Sequence, residues 1–487
     1  MMTSVCASLG FADDPSAPVQ GLDETLDPVD KVVAYETSSN QAELFRKKIL
    51  EFGNTNSNAP TSTLNLNELR QTVEGFGVAI TGSTSFNLLK MTHEDRRALL
   101  TETFSVEKGL GFSYVRVSIG CSDFSLSEYT HCDAPGIENF KLADEDREYV
   151  VPVLKEILEI NPTIKILASP WTCPKWMKVD DLQNLKPFDS WTSGRLNPRY
   201  YADYAEYFVK YINAMRENGV VINAITMQNE PLNRGNSASL FMTWREQRDF
   251  VKVLGPALRN ARLNTEIWAF DHNFNYDSNK PECRDQWGYP LKIYEDEEAA
   301  KYLTGAAYHA YGGNKEEMKR VRDARPDKGL YFTEQSIGAW GYSFDGDLMW
   351  FMREVGIGVM NYGCKAIIVW NYMLDDQRGP NRPGGCDKCF GAVNVSTPDY
   401  KRVERYSHYY EIAHFSKVVR PGAIRVELEN KDLPKGACLC AFKNPDGSFA
   451  LVALNDSNKP LALNVVCGDK SFVANLREKA VASFKWR

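Results

Sequence analysis

The centre of the chain repeats one pattern, in which a short apolar run is followed by a longer amphipathic segment. Short continuous apolar runs are typical of strands that are buried on both faces, as in a parallel sheet. Eight such strands alternating with helices predict an α/β fold, a (β/α)8 TIM barrel. The runs are residues 74–81 (EGFGVAIT), 112–118 (FSYVRVS), 163–169 (TIKILAS), 221–227 (VINAITM), 265–270 (TEIWAF), 305–309 (GAAYH), 329–333 (GLYFT) and 364–370 (CKAIIVW).

Helix boundary signals lie between these runs. Thr92 and Asp95 have the spacing of a capping box, Pro198 suits a first helical turn, and Gly219 suits a helix end. We therefore predict helices at residues 92–104, 144–160, 197–218, 243–262, 294–303, 315–324 and 345–362.

The two ends of the chain do not fit the barrel pattern. Residues 31–37 (KVVAYET) read as one strand, and after Ala423 short apolar runs alternate with turn signals such as Asn444-Pro-Asp-Gly447. We predict a β-sandwich built from both ends and attached to the barrel. The expected domains are residues 1–30 as a disordered leader and linker, 31–72 as the N-terminal part of the sandwich, 73–405 as the catalytic barrel and 406–487 as the sandwich domain.

Composition excludes several classes of protein. The chain carries 57 basic and 64 acidic residues, and it has no dense basic run, which disfavours nucleic acid as a partner. No stretch approaches the ~18 apolar residues of a membrane span. Residues 1–10 lack a clear signal peptide; Val5-Cys6 would fit a lipoprotein remnant, but a disordered leader is favoured. We expect a secreted, periplasmic or cell-surface protein whose targeting segment is unclear.

Cofactor and metal motifs are weak. Gly75-Phe-Gly77 has Ile80 where a dinucleotide fingerprint needs a third glycine, and the six histidines show no paired spacing, so we expect no cofactor and no metal. Cys386 and Cys389 could form a local disulfide, a redox pair or half a zinc site. Without a second pair, a disulfide or two inert thiols is the better interpretation.

Active sites of TIM barrels lie at the carboxyl ends of the strands. In this chain two glutamates, Glu230 and Glu334, close predicted strands 4 and 7. A pair of carboxylates suits glycosidic cleavage, whereas either glutamate alone would be better explained as a salt-bridge partner. Amides, aromatic rings and further polar groups at the other strand ends suit a sugar: Asp123, Trp171, Asn229, Asp271, His272, His309, Tyr311, Trp370 and Asn371.

Several motifs in order along the chain resemble glycoside hydrolase family 30, which contains glucosylceramidases and endo-β-1,6-glucanases. The resemblance extends from about residue 32 to the C-terminus and implies a TIM barrel with an attached β-sandwich. The motifs are EGFGVAITGS from Glu74, YVRVSIGCSDFS from Tyr114, ASPWTCPKWMK from Ala168, ITMQNEP from Ile225, FTEQSIG from Phe332, WNYMLDDQRGPN from Trp370 and YSHYYEIAHFSKVVRPGAIRV from Tyr406.

The resemblance also implies roles for individual residues. Glu230, in Asn-Glu-Pro, would be the acid/base and Glu334 the nucleophile of a retaining mechanism. Burial and mutual repulsion are expected to raise the pKa of the acid. Sugar contacts are implied for Asp123, Trp171, Asn229 and Trp370, with barrel-top packing as the alternative for the two tryptophans. His309 and Tyr311 are further candidates, each with a packing role as the alternative, and Asn371 is a candidate because it lies next to Trp370. Trp176 and Trp340 are candidates for outer subsites, with cover of the barrel rim as the alternative.

One departure from the family pattern bears on the substrate. Glucosylceramidases carry a Trp where this chain has Ala310, and the smaller side chain is expected to open the cleft toward the leaving group. We therefore expect an endo-β-1,6-glucanase that uses no cofactor and acts on a carbohydrate. The alternatives are a glucosylceramidase or another exo-acting β-glucosidase or β-xylosidase, and, from a different class, a catalytically silent carbohydrate-binding protein. The oligomeric state is not predicted.

Overall fold

The computed structural model describes residues 13–53, 55–274 and 284–487. Its strands, in chain order, are β1 (Val32–Ser38), β2 (Arg46–Leu50), β3 (Thr61–Thr72), β4 (Gly75–Ala79), β5 (Tyr114–Ile119), β6 (Lys165–Pro170), β7 (Lys178–Val179), β8 (Arg195–Leu196), β9 (Ala224–Thr226), β10 (Glu266–Asn273), β11 (Gly305–His309), β12 (Gly329–Glu334), β13 (Ile337–Gly338), β14 (Cys364–Val369), β15 (Met373–Asp375), β16 (Cys389–Phe390), β17 (Val393–Val395), β18 (Val403–Arg405), β19 (Ile424–Lys431), β20 (Ala437–Lys443), β21 (Phe449–Asn455), β22 (Leu461–Cys467), β23 (Lys470–Leu476) and β24 (Ala480–Trp486).

The helices cover most of the predicted amphipathic segments. They are α1 (Gly82–Lys90), α2 (His93–Phe104), α3 (Val151–Ile160), α4 (Tyr201–Glu217), α5 (Trp244–Asn260), α6 (Tyr289–Tyr294), α7 (Glu297–Ala300), α8 (Glu316–Ala324), α9 (Phe344–Phe351), α10 (Ile357–Asn361) and α11 (Ser407–Ser416). The predicted helix at 294–303 is wrong in its extent. It is replaced by α6 and α7, because Asp296 leaves the helical conformation and caps the start of α7.

The predicted barrel is confirmed. Eight parallel strands close in the order β10-β11-β12-β14-β4-β5-β6-β9, and each corresponds to one of the eight apolar runs. Large side chains fill the interior: the rings of Trp268 and Tyr331 stack with centroids 3.5 Å apart. The barrel centre is therefore a packed core, which leaves the carboxyl ends of the strands as the place for a site.

The predicted β-sandwich is also confirmed. Strands β1 to β3 join β19 to β24 in one nine-stranded sheet, ordered β2-β1-β24-β21-β20-β19-β3-β22-β23. The sheet folds over its own apolar face, since Phe472 of β23 contacts both Phe484 and Trp486 of β24. Strands β2 and β3 were not predicted, because polar and charged side chains dominate both of them.

Helix α11 joins the barrel to the sheet, and all ten of its residues are buried. Phe415 stacks on Phe76 of barrel strand β4, with ring centroids 5.0 Å apart. His414 lies between hydroxyl groups of the sheet, 2.8 Å from Thr37 and 3.0 Å from Ser483. The helix therefore holds the two layers in a fixed relation, although the expected boundary at residue 406 places it wholly with the sandwich.

Part of the expected leader lies within the described residues. Leu22 is buried, and its carbonyl accepts a hydrogen bond from Lys417. Residues 1–12 of the expected leader lie outside the described residues. Within the described ranges, none of the helices has both the length and the apolar character needed to cross a membrane.

His414 generates a test of this junction. Burial lowers the pKa of His414 to about 3, whereas an unfolded histidine titrates near ~6.5. The folded state thus binds fewer protons, and this contribution to stability is present above ~6.5 and is lost as the pH falls toward 3. His414→Gln should flatten the dependence of the free energy of unfolding on pH between 6.5 and 4 by up to ~1.4 kcal/mol per pH unit.

Chemical unfolding at several pH values measures this slope. The exposed His93 in α2 provides the control variant, His93→Gln, for which the slope should match that of the wild type. An unchanged slope in His414→Gln would contradict the assignment of a neutral buried histidine.

Candidate active site

The two predicted catalytic glutamates lie together at the carboxyl end of the barrel. Glu334 is the last residue of β12 and Glu230 follows β9, and both side chains are almost fully buried. Nδ1 of His309 lies 3.3 Å from Oε1 of Glu230 and 3.9 Å from Oε1 of Glu334. The two Oε1 atoms therefore lie no more than 7.2 Å apart. This limit admits the ~5–5.5 Å spacing of a retaining pair and also the lower part of the ~6.5–9.5 Å range of inverting enzymes.

A buried arginine holds the nucleophile candidate. Arg116 has no exposed surface, and its guanidinium donates to Oε2 of Glu334 at 2.5 Å. The other terminal nitrogen donates to Oδ1 of Asn229 at 2.7 Å and to Oδ2 of Asp271 at 2.9 Å. A planar guanidinium fixes its acceptors in both distance and direction, so Arg116 sets the orientation of the Glu334 carboxylate.

Asp271 connects this arginine to the histidine. Its carboxylate accepts hydrogen bonds from Thr226 at 2.6 Å and Thr333 at 2.7 Å, and it lies 3.0 Å from Nε2 of His309. Burial raises the pKa of Asp271, but the charge of Arg116 and these bonds lower it far below its usual value. An ionised Asp271 then fixes the ring of His309, which faces Glu230 with its other nitrogen.

The electrostatics of the site favour a proton on His309 over one on Glu230. Burial lowers the pKa of His309, but the charge of Glu334 and the bonds to Asp271 and Glu230 raise it to about 9. Burial raises the pKa of Glu230, but the hydrogen bond from His309, the charges of His272 and His309 and the Asn233 amide lower it to about 2. Burial lowers the pKa of His272 to about 4, so at neutral pH the positive charge beside Glu230 comes from His309. Burial also raises the pKa of Glu334, and the charge of Glu230 adds to that increase.

The net lowering of the Glu230 pKa is the opposite of the increase that burial and mutual repulsion led us to expect. The reason is local: His309 and His272 both face the Glu230 carboxylate, and Asn233 and Asn236 donate to its Oε2 at 2.7 and 3.0 Å. Without substrate, hydrogen-bond donors and positive charge surround Glu230, and these favour its ionised form.

The predicted sugar contacts lie beside Arg116. The rings of Trp171 and Trp370 lie 5.0 Å apart and cover the guanidinium at 5.0 and 5.6 Å. Within the described residues Oδ1 of Asp123 is buried without a hydrogen-bond partner, and burial together with the charge of Glu334 raises the pKa of Asp123. Both indole rings are almost fully buried against Arg116 and each other, so the sugar-stacking role of Trp171 and Trp370 stays a prediction, whereas the unsatisfied carboxyl group of Asp123 can hydrogen-bond a sugar hydroxyl.

A loop from Arg382 to Cys389 packs against Asp123. Arg382 donates to the carbonyl of Ser122 at 2.7 Å, and a Cβ added to Gly385 would lie only 2.5 Å from the carbonyl oxygen of Asp123. In this loop the sulfur atoms of Cys386 and Cys389 are 2.6 Å apart. The loop closes the Asp123 side of the site.

The remaining candidates take different positions. The hydroxyl of Tyr311 donates to Oε1 of Glu334 at 3.1 Å. Asn371 is fully buried, and its Oδ1 accepts from Thr81 at 2.9 Å. Trp176 is half-buried and donates to the carbonyl of Cys132, whereas Trp340 is 54% exposed. The structure thus places Tyr311 on the nucleophile candidate and joins the Trp176 indole to the segment that follows β5. The outer-subsite roles of Trp176 and Trp340 stay predictions.

Three side chains of the site lie close enough together to ligate a metal ion. Ligand atoms of Glu230, His272 and His309 lie within 4.8 Å of one another. We assign no metal to them, because both ring nitrogens of His309 already contact Glu230 and Asp271, and hydrolysis by two carboxylates needs no cation.

Two family models match the chain along nearly its whole folded length. The glycosyl hydrolase family 30 TIM-barrel domain matches residues 73–419, and the family 30 β-sandwich domain matches residues 422–484.

The chain belongs to glycoside hydrolase family 30.

Named relatives of this glycoside hydrolase support the assignment. The endo-1,6-β-D-glucanase of Neurospora crassa is 32% identical over 73% of this chain and 72% of its own length. The lysosomal acid glucosylceramidase of Mus musculus is 28% identical over 86% of this chain and 81% of its own length. The solved structure of the endo-β-1,6-glucanase BT3312 is 53% identical, with a TM-score of 0.91, and covers 94% of this chain and 99% of its own.

Sequence reasoning about this family 30 hydrolase missed the group that organises its site. Arg116 interrupts an otherwise apolar strand, FSYVRVS, and a charged residue in a strand buried on both faces needs partners. A charged residue in the middle of a buried strand could therefore have identified Arg116 from the sequence alone. Asp271 and His272 were noted at a strand end but given no role, because their contacts with His309 and Glu230 depend on how the strands register around the barrel.

Arg116→Lys tests the anchoring of Glu334. A single ammonium cannot satisfy the three acceptors that the guanidinium serves, so kcat for an aryl β-glucoside should fall by about a hundredfold or more. Thermal unfolding measured in parallel separates this loss from unfolding. The control is Arg477→Lys at an exposed arginine that pairs with Glu43, and it should retain wild-type activity. Full activity in Arg116→Lys would contradict the role.

Proposed function

We propose that this enzyme is an endo-acting β-1,6-glucanase that retains the anomeric configuration. The observation that carries the proposal is the 53% identity to an endo-β-1,6-glucanase over 94% of the chain. The geometry supports it, because Ala310 and Tyr311 line a cavity of about 300 Å³, and the hydroxyl of Tyr311 donates to Glu334. A polymer cut internally needs such room on the leaving-group side.

The first step forms a glycosyl-enzyme. Glu334, oriented by Arg116 and Tyr311, attacks the anomeric carbon while Glu230 transfers a proton to the departing oxygen. In the second step Glu230 removes a proton from water, and the water oxygen displaces Glu334 from the anomeric carbon. The sugar leaves with its original configuration because two displacements occur at the same centre.

His309 explains how Glu230 can act as an acid despite its low pKa in the free enzyme. The proton on Nδ1 of His309 faces Oε1 of Glu230 at 3.3 Å. When Glu334 bonds to the anomeric carbon, it loses its negative charge. That charge is the largest of the influences that raise the pKa of His309, so the pKa of His309 falls. The proton then moves toward Glu230 and the leaving oxygen as the charge that held it on the histidine disappears.

Glucosylceramidase activity is the second candidate. It is favoured by the 28% identity to a lysosomal acid glucosylceramidase, and it would place a lipid in the cavity beside Ala310. A silent carbohydrate-binding protein is disfavoured, because both glutamates keep their buried hydrogen-bond partners.

Substitution of the two glutamates separates their roles. Glu334→Gln should nearly abolish turnover, because no covalent intermediate can form. Glu230→Ala should lose less activity on aryl β-glucosides, whose leaving groups need little protonation, and azide should partly restore its rate and yield the β-glucosyl azide. NMR of the azide product gives the configuration. The exposed Glu94 provides the control, Glu94→Gln. A β-azide from a rescued Glu334 variant would exchange the two roles.

Product sizing tests the endo assignment. Time-resolved chromatography of β-1,6-glucan digests should show short oligosaccharides early, and Ala310→Trp should shift cleavage toward shorter substrates because the indole fills the cavity that Ala310 borders. Glucose alone from the first time point would contradict endo action and favour the glucosylceramidase reading. An unchanged product ladder in Ala310→Trp would show that this position does not face the polymer.

A further inference from the structure

The two oxygen atoms of the Glu230 carboxylate have different surroundings. Oε2 accepts hydrogen bonds from Nδ2 of Asn233 at 2.7 Å and from Nδ2 of Asn236 at 3.0 Å. Oε1 faces Nδ1 of His309 at 3.3 Å, and the same nitrogen lies 3.9 Å from Oε1 of Glu334. Oε1 is therefore the oxygen on the side of the proposed nucleophile, whereas Oε2 contacts the loop that follows β9.

The loop that carries the two amides is itself held in place. Oδ1 of Asn233 accepts a hydrogen bond from the backbone amide of Gly235 at 2.9 Å, so Nδ2 is the end of the side chain that reaches Glu230. The backbone amide of Asn233 donates to the carbonyl of Glu230 at 2.9 Å. The guanidinium of Arg234 lies 3.8 Å from the centroid of the Phe241 ring. The loop thus presents the Asn233 amide to Oε2 before any substrate binds.

The hydrogen bonds to Oε2 bear on where a proton can lie. The two oxygens of a carboxylate offer about four acceptor positions, two on each atom. Oε2 fills both of its positions with side-chain amide nitrogens, which can only donate. A proton on Oε2 would displace one of these amides and leave its N–H without an acceptor, which costs free energy. In the described part of the chain Oε1 has the His309 ring as its hydrogen-bond partner, and the His272 ring is farther away at 3.7 Å.

We propose that Asn233 and Asn236 are positioning residues for the acid/base. They fill Oε2, and Oε1 is then the atom that gives its proton to the leaving oxygen and later takes a proton from water. The inference rests on the role proposed for Glu230 and assigns that role to one of its two oxygens.

The same amides set the strength of Glu230 as an acid. Hydrogen bonds to a carboxylate favour its ionised form, so Asn233 and Asn236 make Glu230 a stronger acid and a weaker base. A substitution in the loop after β9 removes this influence without removing any other titratable group of the site. The titratable groups that face Glu230 or its partner His309 come from β10, β11, β12 and the segment after β11: Asp271, His272, His309, Tyr311 and Glu334.

Two aryl β-glucosides with different leaving groups test the proposal. Phenol is a poor leaving group that needs a proton from the acid, whereas dinitrophenolate leaves without one, so kcat for the dinitrophenyl glucoside reports the step in which Glu230 is the base. Asn233→Ala and Asn236→Ala should each lower kcat/KM for the phenyl glucoside about fivefold or more, and kcat for the dinitrophenyl glucoside should fall by less than about twofold. The control is Asn67→Ala, at an exposed position of β3, which should change neither value.

Asn233→Asp distinguishes hydrogen bonding from packing. Aspartate has nearly the shape of asparagine, but it replaces the donor with a negative charge that faces Glu230. At neutral pH, Asn233→Asp should therefore lose more activity on the phenyl glucoside than Asn233→Ala does. A packing role predicts the reverse order, and that result would overturn the proposal.

The remaining outcomes separate the positioning role from the role of Glu230. Equal losses on both glucosides in the Asn233 and Asn236 variants would indicate general damage to the site and would overturn the positioning role. Wild-type values on both glucosides would also overturn it, while azide rescue of Glu230→Ala would leave the acid/base role standing. If azide failed to restore Glu230→Ala on the dinitrophenyl glucoside, the role proposed for Glu230 would be wrong, and the positioning role would fail with it.

Discussion

The buried guanidinium of Arg116 is the interaction on which the site depends. A charge with no exposed surface is tolerated in a barrel core only when partners replace its hydration. Here those partners are Glu334, Asn229 and Asp271, which come from three different strand ends. Closure of the barrel therefore also orients Glu334, the proposed nucleophile, because the strands that complete the ring bring the acceptors to the arginine.

Backbone strain accompanies this arrangement. Glu230, Asp271 and Asn371 all have positive φ values, of 45°, 71° and 54°, although none is a glycine. Such conformations cost ~1–3 kcal/mol each and persist where the surroundings hold them. The amide of Glu230 donates to the carbonyl of Asp271 at 2.9 Å, so two of these residues hold each other. Glycine at position 230 or 271 would remove the strain, but it would also remove a carboxylate of the site.

The sequence predicted the barrel well because its strands are short apolar runs that helices separate, and a parallel sheet buries both faces of such strands. It failed at β2 and β3, where exposed polar residues hide the strand pattern, and at α11, where burial on every side removes the amphipathic signal. The glutamates were predictable from strand ends and motif resemblance. The direction of the Glu230 pKa was not, because it depends on histidines brought close only by the closed barrel.

In the mechanism that we propose, charge within the closed barrel explains why Glu230 can serve as acid and later as base. Glu230, Glu334 and Asp271 place three negative charges around one permanent cation, Arg116, and this excess of negative charge favours a proton on His309. Formation of the glycosyl bond to Glu334 removes one of those charges, and the proton is then held less tightly. Its release toward Glu230 coincides with the departure of the leaving oxygen. When water later frees Glu334, the negative charge returns, and the histidine regains the proton that Glu230 took from water. The catalytic cycle therefore restores its own protonation state through the same three contacts that fix the side chains.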